Sequence, residues 1–529
     1  LLIGHWYQKD SASKAAKKAF IVNRIGDAGF IAALCILWSQ FGTFHLLELE
    51  TFMSNSVIKD GLWVSDIGSL PEVWLTVLGI GLFMAAMGKS AQFPLQVWLP
   101  DAMEGPTPVS ALIHAATMVA AGVFLMSRVF VLLDMDSLLF VAIVGSLTAF
   151  MGAVAALAQN DIKKVLAFST ISQLGYMIMG VGVGAYDAAL FHLFTHAFFK
   201  AALFLAAGSV IYSLHELAHE KGLHFDAQDM RNMGGIKKAL PVTFYTYLMA
   251  ACALVGVPLF SGFLSKDALL AATLNWSNEI GHLSYLIPIL AFASVALTSF
   301  YMMRQFKMVF LGKFRGPVEV SYLKEGGWPF KLSLSVLASL SIAFFWSLNP
   351  ADYEGSWFMS LFQTKTNVTP EFNLSVSNTV NHTVVGVCST LLVLLGAIIS
   401  WFTLKNSTLS IDDKRAELSF LQRISLYNLY LIELYSATVL KFTSWLARTL
   451  TLIESKVIDR LVNLLGWVGV VSAFILGWLD RVFVDGLVNV TAFLTGQVGG
   501  ATRSFQYGKV QSFVIFALVS LLMIIFFIL

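Results

Sequence analysis

The chain has 529 residues, 57% of them hydrophobic and 12% charged, with a formal charge of +2 at pH 7 and a mean hydropathy of +0.75. Apolar runs long enough to cross a bilayer recur along it, which excludes the soluble classes and indicates an all-α polytopic membrane protein. The near-neutral charge, with Lys and Arg gathered in loops, excludes a nucleic-acid-binding face. Cys35, Cys252 and Cys388 lie far apart in apolar stretches, so they make neither a disulfide framework nor a thiolate metal site and read as small core residues.

Leu1 is not an initiator, and LLIGHWYQKD reads as the tail of a span followed by a loop, so the natural beginning is expected to be missing. Residues 9–18 form a basic loop, residues 20–41 a first span with Arg24 and Asp27 near its start, and the loop to Pro71 is acidic. Further spans are predicted near 73–103 (broken at Pro94), 108–132, 137–158, 162–184, 187–213, 241–275 (broken at Pro258), 284–311, 330–348, 381–404 and 510–529, about 11 in all. Alternate crossings put the basic loops 9–18, 160–164, 221–238, 304–315 and 414–423 on one side, the cytoplasmic or matrix side. The acidic or small loops at Asp134 and Asp136, at Asp187, and from Asp352 to Glu371 fall opposite.

This parity sends the broken helix that holds Lys89 inward and the one that holds Lys266 outward. Such an offset is what two inverted repeats give, with a site at their interface. The chain then divides into 1–132 for the remainder of a first repeat, 133–315 for a second, and 316–418 for additional helices and loops. Residues 419–503 depart from the pattern. Polar residues recur there at helical spacing (Lys441, Arg448, Ser455, Asp459, Asn463, Arg481, Asp485, Asn489) opposite an apolar stripe. A helix that long exceeds several bilayer thicknesses, so 419–508 is expected to lie along a surface as a lateral amphipathic helix, with 509–529 as a closing transmembrane anchor. The rival reading makes Leu464 to Leu479 a short span, and Gly466, Gly469 and Gly477 leave room for breaks.

Lysine within apolar helical sequence costs roughly 2.5 to 3.5 kcal/mol at a bilayer centre, so Lys89 and Lys266 are expected to face a polar interior with partners. A proline beside each removes an intrahelical hydrogen bond, and the freed carbonyl must be satisfied by protein or cavity water. His192, His196 and Lys200, spaced four apart, stack on one helical face that no structural need explains, although His192 taken alone reads equally as a helix-to-helix hydrogen bond. With His114 they make a set of buried bases whose proton affinity follows burial and neighbouring charge. Asp27 is the carboxylate best placed to pair with Lys89; read otherwise, it is a helix-start residue in a basic loop. Lys163 and Lys164 mark the cytoplasmic interface, or one of them gates entry, and Thr107, Ser110, Thr117, Thr170 and Thr195 line a wet path or serve as packing hydroxyls. His215-Glu216-Leu217-Ala218-His219 matches the H-E-x-x-H pattern of zinc peptidases, but it comes directly after a span and lacks a clear third ligand. With no P-loop, no G-x-G-x-x-G and no cysteine cluster, the chain is expected to hold no metal, nucleotide, flavin or iron–sulfur centre.

The stretches NRIGDAGF (23–30), GKSAQFPLQVWLPDAMEGPTPVSALIHAATMV (88–119), QNDIKKVLAFSTISQLGYM (159–177), FHLFTHAFFKAALFLAAGSVI (191–211), QDMRNMGG (228–235) and GFLSKDALL (262–270) closely resemble the antiporter-like subunits of respiratory complex I, the proton-pumping NADH:quinone oxidoreductase. The lateral helix and closing span are similar to those of the distal member of that group. By this resemblance Lys89 falls on the central lysine of the first half-channel, His114 on the histidine leading inward, and Asp27 on an acidic neighbour. His192, His196 and Lys200 fall on the central relay, and Lys266 and Asp267 on the terminal lysine and its neighbour. The glutamate that pairs with the central lysine in the family is absent from this sequence.

The resemblance implies a proton-translocating membrane subunit of a respiratory-chain NADH dehydrogenase, a translocase driven by electron transport and quinone reduction elsewhere. NADH, FMN, iron–sulfur clusters and quinone are then expected on other subunits, and membrane-arm neighbours against residues 419–508. The membrane expected is a bacterial inner membrane, or else the mitochondrial inner membrane. Two other readings stay open: the large subunit of a multisubunit sodium/proton antiporter, and a structural clamp of the membrane arm.

Overall fold

Several helices in this chain stop at a left-handed glycine or start at a capping aspartate. In the computed structural model, which describes residues 1–65, 68–317, 320–349, 355–361, 382–403, 419–504, 506 and 508–529, α1 spans Asp10–Phe41 and stops at Gly42 in the left-handed region (φ 63°). The basic stretch 9–18 is therefore helix, not loop: Ala12, Ala15 and Ala19 pack inward and leave the lysines between them outside. After α2 (Leu46–Asn55), the segment read as an acidic loop forms a small antiparallel meander of β1 (Val57–Lys59), β2 (Leu62–Val64) and β3 (Ser69–Pro71). Asp60 and Gly61, both at positive φ, make its two-residue Asp-Gly turn.

The next span, α3 (Val73–Lys89), ends at Lys89. Beyond Pro94 the chain forms no second α-helical half but two 3₁₀ turns, Gln96–Trp98 and Asp101–Glu104. The unwound backbone is satisfied by protein: the Phe93 amide donates to the Thr148 hydroxyl (3.0 Å), the Trp98 indole to the Gly88 carbonyl (3.0 Å), and the Ser90 hydroxyl to the Val119 carbonyl (2.6 Å). The span read as continuous over 108–132 is itself interrupted, into α4 (Thr107–Ala115) and α5 (Met118–Arg128). Thr117 sits exposed at that interruption with its hydroxyl on the Leu112 carbonyl, which assigns it a local capping role.

Two long helices come next, α6 (Met135–Ala156) and α7 (Ile162–Gly182), capped by Asp134 and Asp161. A Cβ on Gly145 would meet the Met179 nitrogen at 2.4 Å, and one on Gly175 the Ala149 nitrogen at 2.4 Å, so glycine lets the two backbones touch. Burial raises the Asp161 carboxyl above its ordinary range, while amide bonds from Lys163 and Lys164 pull the other way. α8 (Tyr186–Lys221) carries the His/Lys row and ends at left-handed Gly222.

The break at Pro258 separates α9 (Pro241–Val255) from α10 (Ser261–Ile280). It is closed by a second irregular segment. After α11 (Leu286–Phe310) comes α12 (Trp328–Ser339), whose 12 residues rise only about 18 Å, short of the roughly 30 Å hydrocarbon core. The predicted span 330–348 thus unwinds early. There the Ser261 amide donates to the Ser341 carbonyl (2.9 Å) and the Ala343 amide to the Leu259 carbonyl (3.0 Å). The two interruptions complete each other like a single pair of strand bonds.

α13 (His382–Thr403) packs on α11, where Gly396 lies against the Ala296 carbonyl. Of the loop from Asp352 to Glu371 residues 355–361 are described and the rest lie outside the described residues, as do 414–418 of the loop 414–423. The basic loops that are described converge. Arg304 binds the Gln159 carbonyl (2.5 Å) and Asn160 side chain (2.7 Å), Arg315 binds the Met230 and Arg231 carbonyls (2.9 Å each), and Lys18 pairs with Asp101 (2.7 Å). α14 (Phe420–Leu426) docks on this region, its Ser425 hydroxyl receiving the Ala158 amide and donating to the Ala155 carbonyl.

The chain divides into two units, residues 1–432 and 433–529. The long helix expected from residue 419 begins later, because Asn428, Leu429 and Tyr430 all take positive φ. It is α15 (Leu431–Ala437), α16 (Val439–Ile453), α17 (Asp459–Leu479) and α18 (Asp485–Ser504), joined by π-helical turns at Glu454–Ile458 and Asp480–Val484. Gly466, Gly469 and Gly477 lie inside α17 without interrupting it. The last helix is α19 (Val510–Ile528). Cys35 and Cys388 are exposed and Cys252 half-buried, all as free thiols, so they are not the core residues expected.

Candidate functional site

The α8 row is fully buried and faces α7 and α10. His192 Nδ1 is hydrogen-bonded with the Ser265 hydroxyl on α10 (2.8 Å), and its Nε2 lies 3.3 Å from the Gln173 amide oxygen on α7. Thr195 joins the same group through Ser265 (3.1 Å), so it belongs to the site. One turn on, the His196 ring stands 6.2 Å from His192, centroid to centroid. A further turn on, the Lys200 ammonium donates to the Ser169 hydroxyl (2.7 Å) and the Leu166 carbonyl (3.3 Å). Neither ring nitrogen of His196 or of His114 has a hydrogen-bond partner among the described residues. His114, on α4, stacks near Phe204 of α8 (4.9 Å).

Lys266 ends this set on α10. Its ammonium donates to the Leu254 carbonyl (2.9 Å) and lies 5.4 Å from the centre of the Tyr176 ring. Leu254 occupies the last turn of α9. The cation is thus held by an oxygen that the helix break frees, at the negative end of the helix dipole. Ordinary helix geometry makes the site: the four-residue spacing stacks the α8 row, and the break offers an acceptor where a continuous helix would not.

The groups are electrostatic neighbours in sequence. His196 lies in the fields of Lys200, His192, His114 and Lys266, and His114 in those of Lys200 and Lys163. Lys163, read as an interface residue, is buried instead, its ammonium donating to the Met103 (2.6 Å) and Gly105 (2.9 Å) carbonyls. Lys89 and Asp27 form a separate pair at 3.2 Å, with side chains 31% and 23% exposed, and Asp27 is shared with Arg24. Asp267 turns away from Lys266 toward α13. Its Oδ2 stands 3.7 Å from His382, and its Oδ1 has no hydrogen-bond partner among the described residues.

Sequence reasoning missed Ser169, Gln173, Ser265, Tyr176 and His382. Ser169, Gln173 and Tyr176 carried a signal, since they recur at spacings of four and three on the apolar helix α7. Ser265 and His382 come from other segments and left none. Ser110 (on the Pro106 carbonyl) and Thr170 (on the Leu166 carbonyl) bond within their own helices, and Thr107 lies against Gly208. His215, Glu216 and His219 lie exposed at the end of α8. Among the described residues no group of three His, Cys, Asp or Glu side chains is placed to hold a metal ion.

Residues 1–287 match the family model described as NADH:quinone oxidoreductase/Mrp antiporter, TM. The chain is 38% identical over 475 residues to the chloroplastic NAD(P)H-quinone oxidoreductase subunit 5 of Nephroselmis olivacea, covering 89% of this chain and 70% of that protein. It is 46% identical over 323 residues to NAD(P)H-quinone oxidoreductase chain 5 of Synechocystis sp., covering 60% of this chain and 44% of that one. Its fold is similar to that of a chain in the Mrp complex from Dietzia sp. DQ12-45-1b, with a TM-score of 0.63 and 24% identity over 90% of this chain and 48% of the other.

Proposed function

Because the chain belongs to the NADH:quinone oxidoreductase/Mrp antiporter family of membrane subunits, we propose that it translocates protons through its buried lysine and histidine row as one subunit of an NAD(P)H:quinone oxidoreductase. The observation that carries this reading is the series of buried bases His114, Lys200, His196, His192 and Lys266, each in the field of a neighbour, in which Lys200, His192 and Lys266 are met by hydroxyl, amide or carbonyl oxygens. A lysine fixed by neutral oxygens has no counter-ion to lock it charged, so its proton is exchangeable when a neighbour's charge changes. Protons enter from the side of the clustered basic loops, pass along α8 to Lys266 and leave opposite.

Quinone reduction on other subunits drives the cycle, and this chain contributes bases, not redox chemistry. Lys89 and Asp27 serve the first of two inverted repeats, and α8 to α10 the second. Neighbouring membrane subunits cover the helix from 431 to 504. The cyanobacterial and chloroplastic relatives support a multi-pass membrane subunit, and the membrane proposed is a bacterial inner membrane, with the mitochondrial inner membrane as the alternative.

The test is proton pumping by the intact complex in vesicles. Lys89→Ala or Lys266→Ala lowers the ratio of protons moved to electrons transferred; a wild-type ratio in both variants refutes the proposal. The family description also names Mrp antiporters, which favours sodium/proton exchange as the second reading. Sodium-dependent proton movement without quinone turnover would select it.

A further inference from the structure

From Lys266, the row of bases reaches bulk water by a route the α8 stripe does not supply. Asp267 is the next residue after Lys266, and about 100° of helical rotation per residue aims the two side chains at different neighbours, α9 and α13. Its side chain is only 10% exposed, yet Oδ1 lacks a hydrogen-bond donor among the described residues and lies 3.5 Å from where a Cβ on Gly386 would stand. An unsatisfied carboxylate oxygen in that setting costs on the order of 1 to 3 kcal/mol or more, so it is open to a proton or a water molecule. Its other oxygen faces His382 Nδ1 at 3.7 Å, and that imidazole is 35% exposed. His382 opens α13, and the other end of that helix lies by the basic end of α11, where the Lys307 ammonium donates to the Trp401 carbonyl (2.8 Å).

We infer that Asp267 and His382 form the proton outlet, a buried acid handing its proton to a half-exposed imidazole that delivers it to water. The step balances without a co-reactant. The Asp267 O–H bond breaks as an N–H bond forms at His382 Nδ1. The resulting imidazolium loses its Nε2 proton to water, leaving a neutral ring and a carboxylate, which is reprotonated from the Lys266 side. A change of side-chain torsion closes the present gap to hydrogen-bond length. Among the described residues another buried carboxylate, Glu325, pairs with half-exposed Lys331 (3.6 Å), but it binds Thr243 of α9 and not a member of the row, and Asp27 and Lys89 pair with each other.

This outlet rests on the proton-translocating reading, and the experiment separates the two. In the assembled complex in vesicles, His382→Ala is expected to slow coupled proton release by about tenfold or more, and His382→Gln, which keeps a similar shape and polarity, by as much, since a positioned proton carrier contributes at least that factor. Imidazole added on the release side restores His382→Ala, and a series of substituted imidazoles restores it in order of basicity. Packing loss would show no such order. Pumping at the wild-type rate in both His382 variants, or loss that imidazole does not restore, overturns the outlet while a defective Lys266→Ala leaves the translocation reading standing. If Lys266→Ala also pumps normally, it is that reading which fails.

Discussion

Lys200 and Lys266 illustrate how a membrane interior tolerates a cation without a partner of opposite charge. Each ammonium is met by a backbone carbonyl, with a hydroxyl for Lys200 and an aromatic face for Lys266. Lys200→Met, nearly equal in volume, therefore leaves assembly intact and lowers the proton-to-electron ratio; a fall in assembled complex, with an unchanged ratio, would assign the lysine to structure. Asp27→Asn tests the exposed pair. At 23% and 31% exposure the ion pair with Lys89 contributes about 0 to 1 kcal/mol. Thermal stability of the complex is thus expected to change little while pumping drops. The row on α8 was legible in the sequence because titratable residues at intervals of four on an apolar helix have no packing rationale. Their acceptors were not, since Leu254 and Leu166 act through main-chain oxygens that every residue has.

The interruption between α9 and α10 sets where the Leu254 oxygen points. At the α9/α10 break, a Cβ on Gly262 would stand 1.7 Å from the Ala253 carbonyl, one residue before the carbonyl that holds Lys266. Gly262→Ala must push the two half-helices apart, at a cost of about 1 to 3 kcal/mol or more. Both a lower melting temperature of the complex and a lower pumping ratio are expected; normal values of both would mean that the break is compliant. The facing segment gives a second handle, because Ala343→Pro deletes the amide that serves the Leu259 carbonyl. Pro258 announced this break in the sequence, and Pro94 announced an irregular stretch. Two interruptions passed unseen: Ala116–Thr117 contains neither proline nor glycine, and the early end of α12 is stabilised by hydrogen bonds to a segment some 80 residues away. Local propensity reports only on groups close along the chain, so a break whose backbone is satisfied from afar leaves no local mark.

For the whole chain, the two units differ in how they are stabilised. Residues 1–432 contain all three clusters of buried apolar side chains, whereas α16 to α19 have no buried residues although they carry Trp445, Phe474, Trp478 and Phe483. From Val439 to Ser504 the helix rises about 100 Å at about 1.5 Å per residue, more than three times the hydrocarbon thickness, so it does not simply cross. Apolar surface of that extent is covered by lipid, by other subunits, or by both. Truncation after Ile432 keeps the three clusters of buried apolar side chains and every member of the buried row in the chain. The expected outcome is a several-fold fall in the amount of assembled complex, measured in detergent extracts, with the proton-to-electron ratio of the surviving complex unchanged. Full assembly of the truncated chain would show that lipid alone covers the long helix. Normal assembly with lost pumping would place the helix within the transport cycle, and a purely bracing role would then be untenable.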